Sequence, residues 1–203
     1  MEEKNNSRDA NRTRNLVTLS ILTALVILFQ VFGSFIKIGA TTFNFVLVPV
    51  VIGGIALGYK AGAFLGLVSA VCIAVCGLTG FDPFTNVLLA NEPFGTLCTV
   101  FLKGFCAGIV PPVVFKAFKE NDVAGSVVAG ALAPILNTGI FICCMLIMSD
   151  VMRANFVPDG TTVVYFLVIT CAGVNFIVEL AINLLLVPVC YKTLKAVGYM
   201  GRK

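Results

Sequence analysis

The stretch LVTLSILTALVILFQVFGS, residues 16–34, carries no charged side chain at any position. A helix needs about 20 mostly apolar residues to cross the hydrocarbon core of a bilayer. Comparable apolar stretches follow at residues 43–57, 61–78, 94–118, 123–149 and 162–194. The sequence therefore predicts an all-α integral membrane bundle of six transmembrane helices, which we number spans 1 to 6, with a kink at Pro49 in span 2.

Composition leaves no room for a separate soluble domain. Of 203 residues, 59% are hydrophobic and 12% are charged, whereas soluble domains carry about 25% charged residues. We expect a membrane domain at 16–195, between a polar tail at 1–15 and a basic tail at 196–203. No small-residue cleavage site follows the first apolar stretch, so we expect span 1 to be a permanent helix rather than a signal peptide.

The distribution of basic residues predicts the orientation, because cytoplasmic connections are enriched in Lys and Arg. With the N-terminus inside, the outer side receives Lys37 and Arg153. Eleven basic residues lie on the inner side: Lys4, Arg8, Arg12, Arg14, Lys60, Lys116, Lys119, Lys192, Lys195, Arg202 and Lys203. Both termini are therefore predicted to be cytoplasmic, in a multi-pass protein of the plasma membrane.

Several function classes are excluded by residue type. The chain has no histidine, which excludes His-bound zinc and Ser-His-Asp catalysis. It contains no phosphate-binding GxxxxGK[ST] loop, no GxSxG and no HExxH. The eight cysteines lie inside apolar runs without CxxC spacing, so we expect small buried side chains rather than disulfides. We expect no enzyme activity, no cofactor and no nucleic-acid partner, and any uphill transport would draw its energy from a partner.

Polar side chains inside the spans need a reason, since a charge at the bilayer centre costs about 2.5–3.5 kcal/mol. Lys103 lies within span 4 and Glu179 within span 6. Asn175 and Asn183 flank Glu179 at intervals of four residues, which places the three on one helix face. Span 5 adds Asn137.

Two interpretations of these residues remain open. Either Lys103 pairs with Glu179 and the asparagines bond between helices, or spans 4 to 6 surround a polar cavity that opens outward. The longer outer connections at 35–42, 79–93 and 150–161 are then candidate lids over it. Lys103 lies roughly 14 Å below the outer end of its span, where an ammonium favours an anion. The candidate substrate-binding set is Asn44, Asn91, Lys103, Asn137, Asn175 and Glu179.

Residues 48–54, VPVVIGG, followed by residues 57–66, LGYKAGAFLG, carry a resemblance to a known family. They resemble spans 2 and 3 of the substrate-binding S components of energy-coupling factor (ECF) transporters. Six short spans, about 200 residues and longer outer loops are also similar over residues 16–195. The metal-specific branch of that family is disfavoured because the chain lacks histidine.

The resemblance implies a partner and a substrate class. S components bind a vitamin or metal ion near the outer face and associate with a transmembrane coupling protein and two ATPase subunits. They dock through a small-xxx-small motif on the first helix, which here matches Ser20 and Ala24. Pantothenate is the first candidate, because Lys103 offers a cation. A flat vitamin such as riboflavin or folate would instead stack on Phe81, Phe84 or Phe94.

Two other functions remain as alternatives. A stand-alone secondary carrier would use Glu179 as a proton site, and a non-transporting scaffold would bind no vitamin. Uptake driven by a proton gradient without any ATPase distinguishes the carrier.

Overall fold

The computed structural model describes residues 2–35, 37–38, 41–42, 45–118 and 121–199. The elements in chain order are α1 (Glu2–Phe35), β1 (Lys37–Ile38), β2 (Thr41–Thr42), α2 (Leu47–Leu57), α3 (Tyr59–Leu78), α4 (Pro83–Asn91), α5 (Pro93–Ala117), α6 (Asp122–Ile147), α7 (Ser149–Asn155), α8 (Val163–Tyr165), a π-helical segment (Phe166–Gly173) and α9 (Val174–Ala196). The two short strands pair antiparallel, with Lys37 opposite Thr42.

Five helical stretches are long and apolar enough to cross a membrane, and the shorter apolar helix α2 provides a sixth span. Span 6 is one continuous stretch, Val163–Ala196, made of α8, the π-helical segment and α9. The prediction of an all-α membrane bundle with six spans is therefore confirmed.

The structure departs from the sequence-based expectation at the ends of the spans. Helix α1 begins at Glu2, so much of the predicted polar tail continues the first helix. The connections at 79–93 and 150–161 contain α4 and α7 rather than irregular loops alone. Pro49 is the third residue of α2, and the first turn of a helix tolerates proline because its amides lack intrahelical acceptors. At this position Pro49 gives no reason for the kink that was expected in span 2.

Glycines bring α3 and α5 into backbone contact. A Cβ on Gly66 would collide with the carbonyl oxygen of Gly104, and one on Gly62 would collide with that of Gly108. Small residues at intervals of four allow helices in a membrane to approach this closely, and van der Waals packing then holds them together. These glycine pairs fix α5, and with it Lys103, against α3.

Two apolar clusters hold the opposite ends of the bundle. At one end Ala129 and Ala133 of α6 pack against Val187 and Tyr191 of α9. At the other end, α4, α6, α7 and the π-helical segment share a cluster that includes Phe84, Leu88, Met145, Met152 and Leu167. The second cluster attaches the short helices α4 and α7 to the long ones.

The C-terminal end of the described chain contacts the N-terminal half of α1. The Tyr199 hydroxyl donates a hydrogen bond to the Thr18 hydroxyl at 2.9 Å. The Arg14 guanidinium lies 4.7 Å from the centroid of the Tyr199 ring. An even number of spans requires this arrangement, which fits the prediction that both termini are on the same side.

Candidate substrate-binding cavity

A cavity of about 90 Å³ lies among α1, α3, α4, α5, α6, the π-helical segment and α9. More elements surround it than the three spans expected from sequence. Its polar lining consists of Gln30, Asp82, Thr85, Thr96, Thr99, Lys103, Asn137, Thr138, Asn175 and Glu179. Apolar and aromatic side chains complete it, among them Ile73, Phe84, Phe141 and Phe176.

The structure brings four of the six predicted residues together. Lys103, Asn137, Asn175 and Glu179 all line the cavity. Asn91 does not, because it is exposed at the end of α4 and its amide donates to the Val87 carbonyl at 2.8 Å. Asn44 lies outside the described residues.

Lys103 is half-buried on α5, with its ammonium nitrogen 5.7 Å from the centroid of the Phe141 ring. An aromatic face at that distance attracts a cation. The carboxylates of Glu179 and Asp82 also attract the Lys103 ammonium. Glu179 is 3% exposed and Asp82 is 8% exposed, so both carboxylates are largely shielded from solvent. The cavity thus combines one cation with several oxygen acceptors.

Asn175, Glu179 and Asn183 share a face of α9, but they divide into two roles. Asn175 and Glu179 line the cavity. Asn183 is 1% exposed but does not line the cavity. Its side-chain amide donates to the Glu179 carbonyl at 2.8 Å. The backbone of Gly130 on α6 packs against the Asn183 carbonyl. Asn183 therefore lies in the contact between α6 and α9.

Sequence reasoning missed polar residues from α1, α4 and the start of α5. The Asp82 carboxylate accepts a hydrogen bond from Thr85 at 2.5 Å. Gln30 accepts one from Ser69 at 3.0 Å, which joins α1 to α3 beside the cavity. Thr96 and Thr99 precede Lys103 by seven and four residues, so helix periodicity places all three on one face. This spacing could have identified the two threonines as lining residues from the sequence alone.

Helix α4 covers the outer end of the cavity. Phe84 of α4 packs against Phe141 of α6 at 6.0 Å and against Phe156 after α7 at 4.6 Å, measured between ring centroids. The Asn86 amide donates to the Gly77 carbonyl at 2.8 Å, which holds α4 against α3. Pockets for small molecules usually enclose roughly 300–1,000 Å³. A cavity of about 90 Å³ must therefore enlarge to admit a vitamin.

The wall opposite α5 contains the π-helical segment, from which Cys171 and Ala172 line the cavity. Segments of this kind are rare and are frequent at functional sites. Among the described residues, no group of three His, Cys, Asp or Glu side chains is placed to hold a metal ion.

The predicted docking pair lies on a different surface. Ser20 and Ala24 are both exposed on α1, and the Ser20 hydroxyl is satisfied by the Leu16 carbonyl at 2.9 Å. The glycines of α3 and α5 have the same spacing but are used inside the bundle. Ser20 and Ala24 therefore leave a smooth strip on the membrane-facing side of α1.

Comparison with known proteins agrees with this architecture. The sequence pattern of the family described as ECF transporter, substrate-specific component, matches residues 14–191. The pantothenic acid transporter PanT of Lactococcus lactis subsp. cremoris (strain MG1363) is 30% identical over 128 residues, or 57% of this chain and 64% of PanT. The chain thus matches a little under two thirds of the length of that relative. Since the family pattern extends from α1 to α9, this multi-pass protein of the cell membrane belongs to the substrate-specific components of ECF transporters.

Proposed function

We propose that this chain is the high-affinity substrate-binding membrane subunit of an ATP-driven ECF importer for a water-soluble vitamin, with pantothenate as the first candidate. The observation that carries the proposal is the cavity in which the Lys103 ammonium faces Asp82, Asn137 and Glu179. Residues of this polarity deep in a membrane bundle mark substrate or ion pathways.

Pantothenate has a carboxylate at one end, and an amide and hydroxyl groups along the rest of the molecule. The Lys103 ammonium suits the carboxylate, because charge-assisted bonds of this kind are about twice as strong as neutral ones. The acceptors on Asp82 and Asn137 and the threonine hydroxyls suit the hydroxyl and amide groups. Membership of the ECF family and the similarity to PanT support the same choice.

A flat ring system is less well supported. Of the three phenylalanines expected to stack on such a ring, Phe81 is 61% exposed, Phe94 is 79% exposed, and neither lines the cavity. Phe84 does line it, but its ring already packs against Phe141 and Phe156. Riboflavin and folate are therefore ranked below pantothenate.

The proposed partners are a transmembrane coupling protein and two ATPase subunits. The chain itself carries no nucleotide-binding motif, so ATP-driven uptake requires ATPase subunits from other proteins. The exposed small residues Ser20 and Ala24 offer a close-packing surface for a helix of the coupling protein. This surface is separate from the cavity, so docking and substrate binding can be tested independently.

A thermal-shift panel on purified protein in detergent tests the substrate assignment. At a ligand concentration 100 times Kd, binding stabilises by about 2.7 kcal/mol, which raises Tm by roughly 5–10 °C. We expect this shift with pantothenate and not with riboflavin, folate, biotin or thiamine. Pantothenol, in which an alcohol replaces the carboxylate, is the matched ligand and should bind more weakly. No shift with any vitamin would support the scaffold alternative.

A further inference from the structure

An open groove of about 610 Å³ lies outside the bundle, between the start of α1 and the turn that joins α2 to α3. Its upper rim contains Asn11, Arg12 and Lys60, and its floor contains Leu16, Leu19 and Phe64. It lies at the same end as Arg14 and Tyr199, which is the end predicted to be cytoplasmic. The vitamin cavity uses none of these residues.

Among the described residues that line the groove, the charged side chains are all basic. Arg12 and Lys60 are both exposed, and no Asp or Glu is part of the lining. Three other cations at this end face partners within the protein: Arg14 lies over Tyr199, Lys116 lies over Tyr59 and Lys195 pairs with Asp122 at 2.6 Å. Arg12 and Lys60 therefore present their charge outward.

The apolar part of the groove continues from these cations toward the membrane interior. Leu16 follows Arg12 by one helical turn, and Phe64 follows Lys60 by one turn. Leu16 is 57% exposed and Phe64 is 47% exposed, so both present apolar surface beside the charged rim. The groove thus has a cationic rim beside an apolar floor. This arrangement is complementary to a phospholipid, whose anionic headgroup is followed by apolar acyl chains.

We propose that this groove binds one anionic phospholipid of the cytoplasmic leaflet. Arg12 and Lys60 hold the headgroup phosphate, and Leu16, Leu19 and Phe64 contact the acyl chains. Anionic lipids of that leaflet attract basic residues near the surface, and basic pockets on this side of membrane proteins bind such headgroups. Ser20 and Ala24 do not line the groove.

Native mass spectrometry of the purified full chain tests the proposal, with dioleoylphosphatidylglycerol and dioleoylphosphatidylcholine as probes. Each basic residue contributes about a fivefold gain in affinity for an anionic surface. We therefore expect Arg12→Gln with Lys60→Gln to weaken the first phosphatidylglycerol adduct about thirtyfold. The matched control, Lys116→Gln with Lys192→Gln, removes two charges at the same end and should change it less than twofold. Arg12→Lys with Lys60→Arg keeps both charges and should retain binding.

Four results would overturn the proposal. If both Gln pairs weaken the adduct equally, general positive charge at this end explains the binding. If the wild type binds the two lipids with equal affinity, the adduct is detergent-like and does not depend on the headgroup. Displacement of the lipid by an equimolar amount of glycerol phosphate means that the site takes free phosphate rather than lipid. Unchanged lipid binding together with lost co-purification of the coupling protein means that the groove binds a protein. Phe64→Ala should weaken the lipid adduct without changing the binding of glycerol phosphate, because Phe64 is expected to contact only the acyl chains.

Discussion

Replacing Lys103 by methionine removes the ammonium from the cavity while keeping a long apolar side chain. A charge-assisted bond to a ligand carboxylate contributes roughly 1.5–3 kcal/mol. Because the Lys103 ammonium is half-buried beside Phe141, we expect Lys103→Met to weaken pantothenate binding by about one to two decades. Pantothenol lacks the carboxylate, so its affinity should change much less in the same variant.

The two carboxylates beside Lys103 give a second, separable effect. Glu179 and Asp82 are buried and lose the attraction of the ammonium in Lys103→Met. Both carboxylates stay buried without the compensating ammonium, so we expect Lys103→Met to lower Tm. Adding Glu179→Gln removes one of the two carboxylate charges and should restore much of that Tm.

A double-mutant cycle scored by Tm and by calorimetric affinity separates the two interpretations. If Lys103 contacts the ligand, the double variant regains Tm but not affinity for pantothenate. If Lys103 only neutralises Glu179, both quantities recover together. Full recovery of affinity in the double variant would refute the role of Lys103 in binding.

Three further changes test the rest of the account. Ser20→Trp or Ala24→Trp should abolish vitamin uptake with the coupling protein and ATPases while leaving calorimetric binding unchanged, and equal loss of both would contradict the docking role. Gly66→Ala should cost about 1–3 kcal/mol by overpacking α3 against α5, whereas Gly139→Ala, which faces open space, should leave Tm unchanged or slightly raised in a melting experiment. Reductant should shift Tm by no more than about a degree, because the eight cysteines, all within the described residues, form no disulfide in this structure, and a large drop would show that some of them pair.

The long apolar spans and the charges within them were predictable from sequence. Lys103 and Glu179 stand out because a charge within a span is costly, and the cavity lining includes both. Asp82 could not be found this way, since it lies in a connection where a carboxylate is ordinary. Its role depends on α4 folding back over the bundle, and Pro83 at the first turn of α4 is compatible with either a helix or a turn.

Small residues at intervals of four indicate that a helix can approach another one closely, but not which one. Gly62 and Gly66 pack inside the bundle against α5, whereas Ser20 and Ala24 have the same spacing and are exposed. A local pattern shows only that a helix can approach closely. Which surface approaches it is decided by the arrangement of all the spans, so the structure was needed to distinguish the internally packed glycines from the exposed Ser20 and Ala24.

The most direct test of the central claim is uptake of radiolabelled pantothenate by proteoliposomes that contain the purified chain, alone or with the coupling protein and both ATPases. The proposed function predicts that the chain alone binds the vitamin but transports none, even with an imposed proton gradient. Adding the partners and ATP should then produce uptake. Gradient-driven uptake by the chain alone, lost in Glu179→Gln, would contradict the account and identify a secondary carrier.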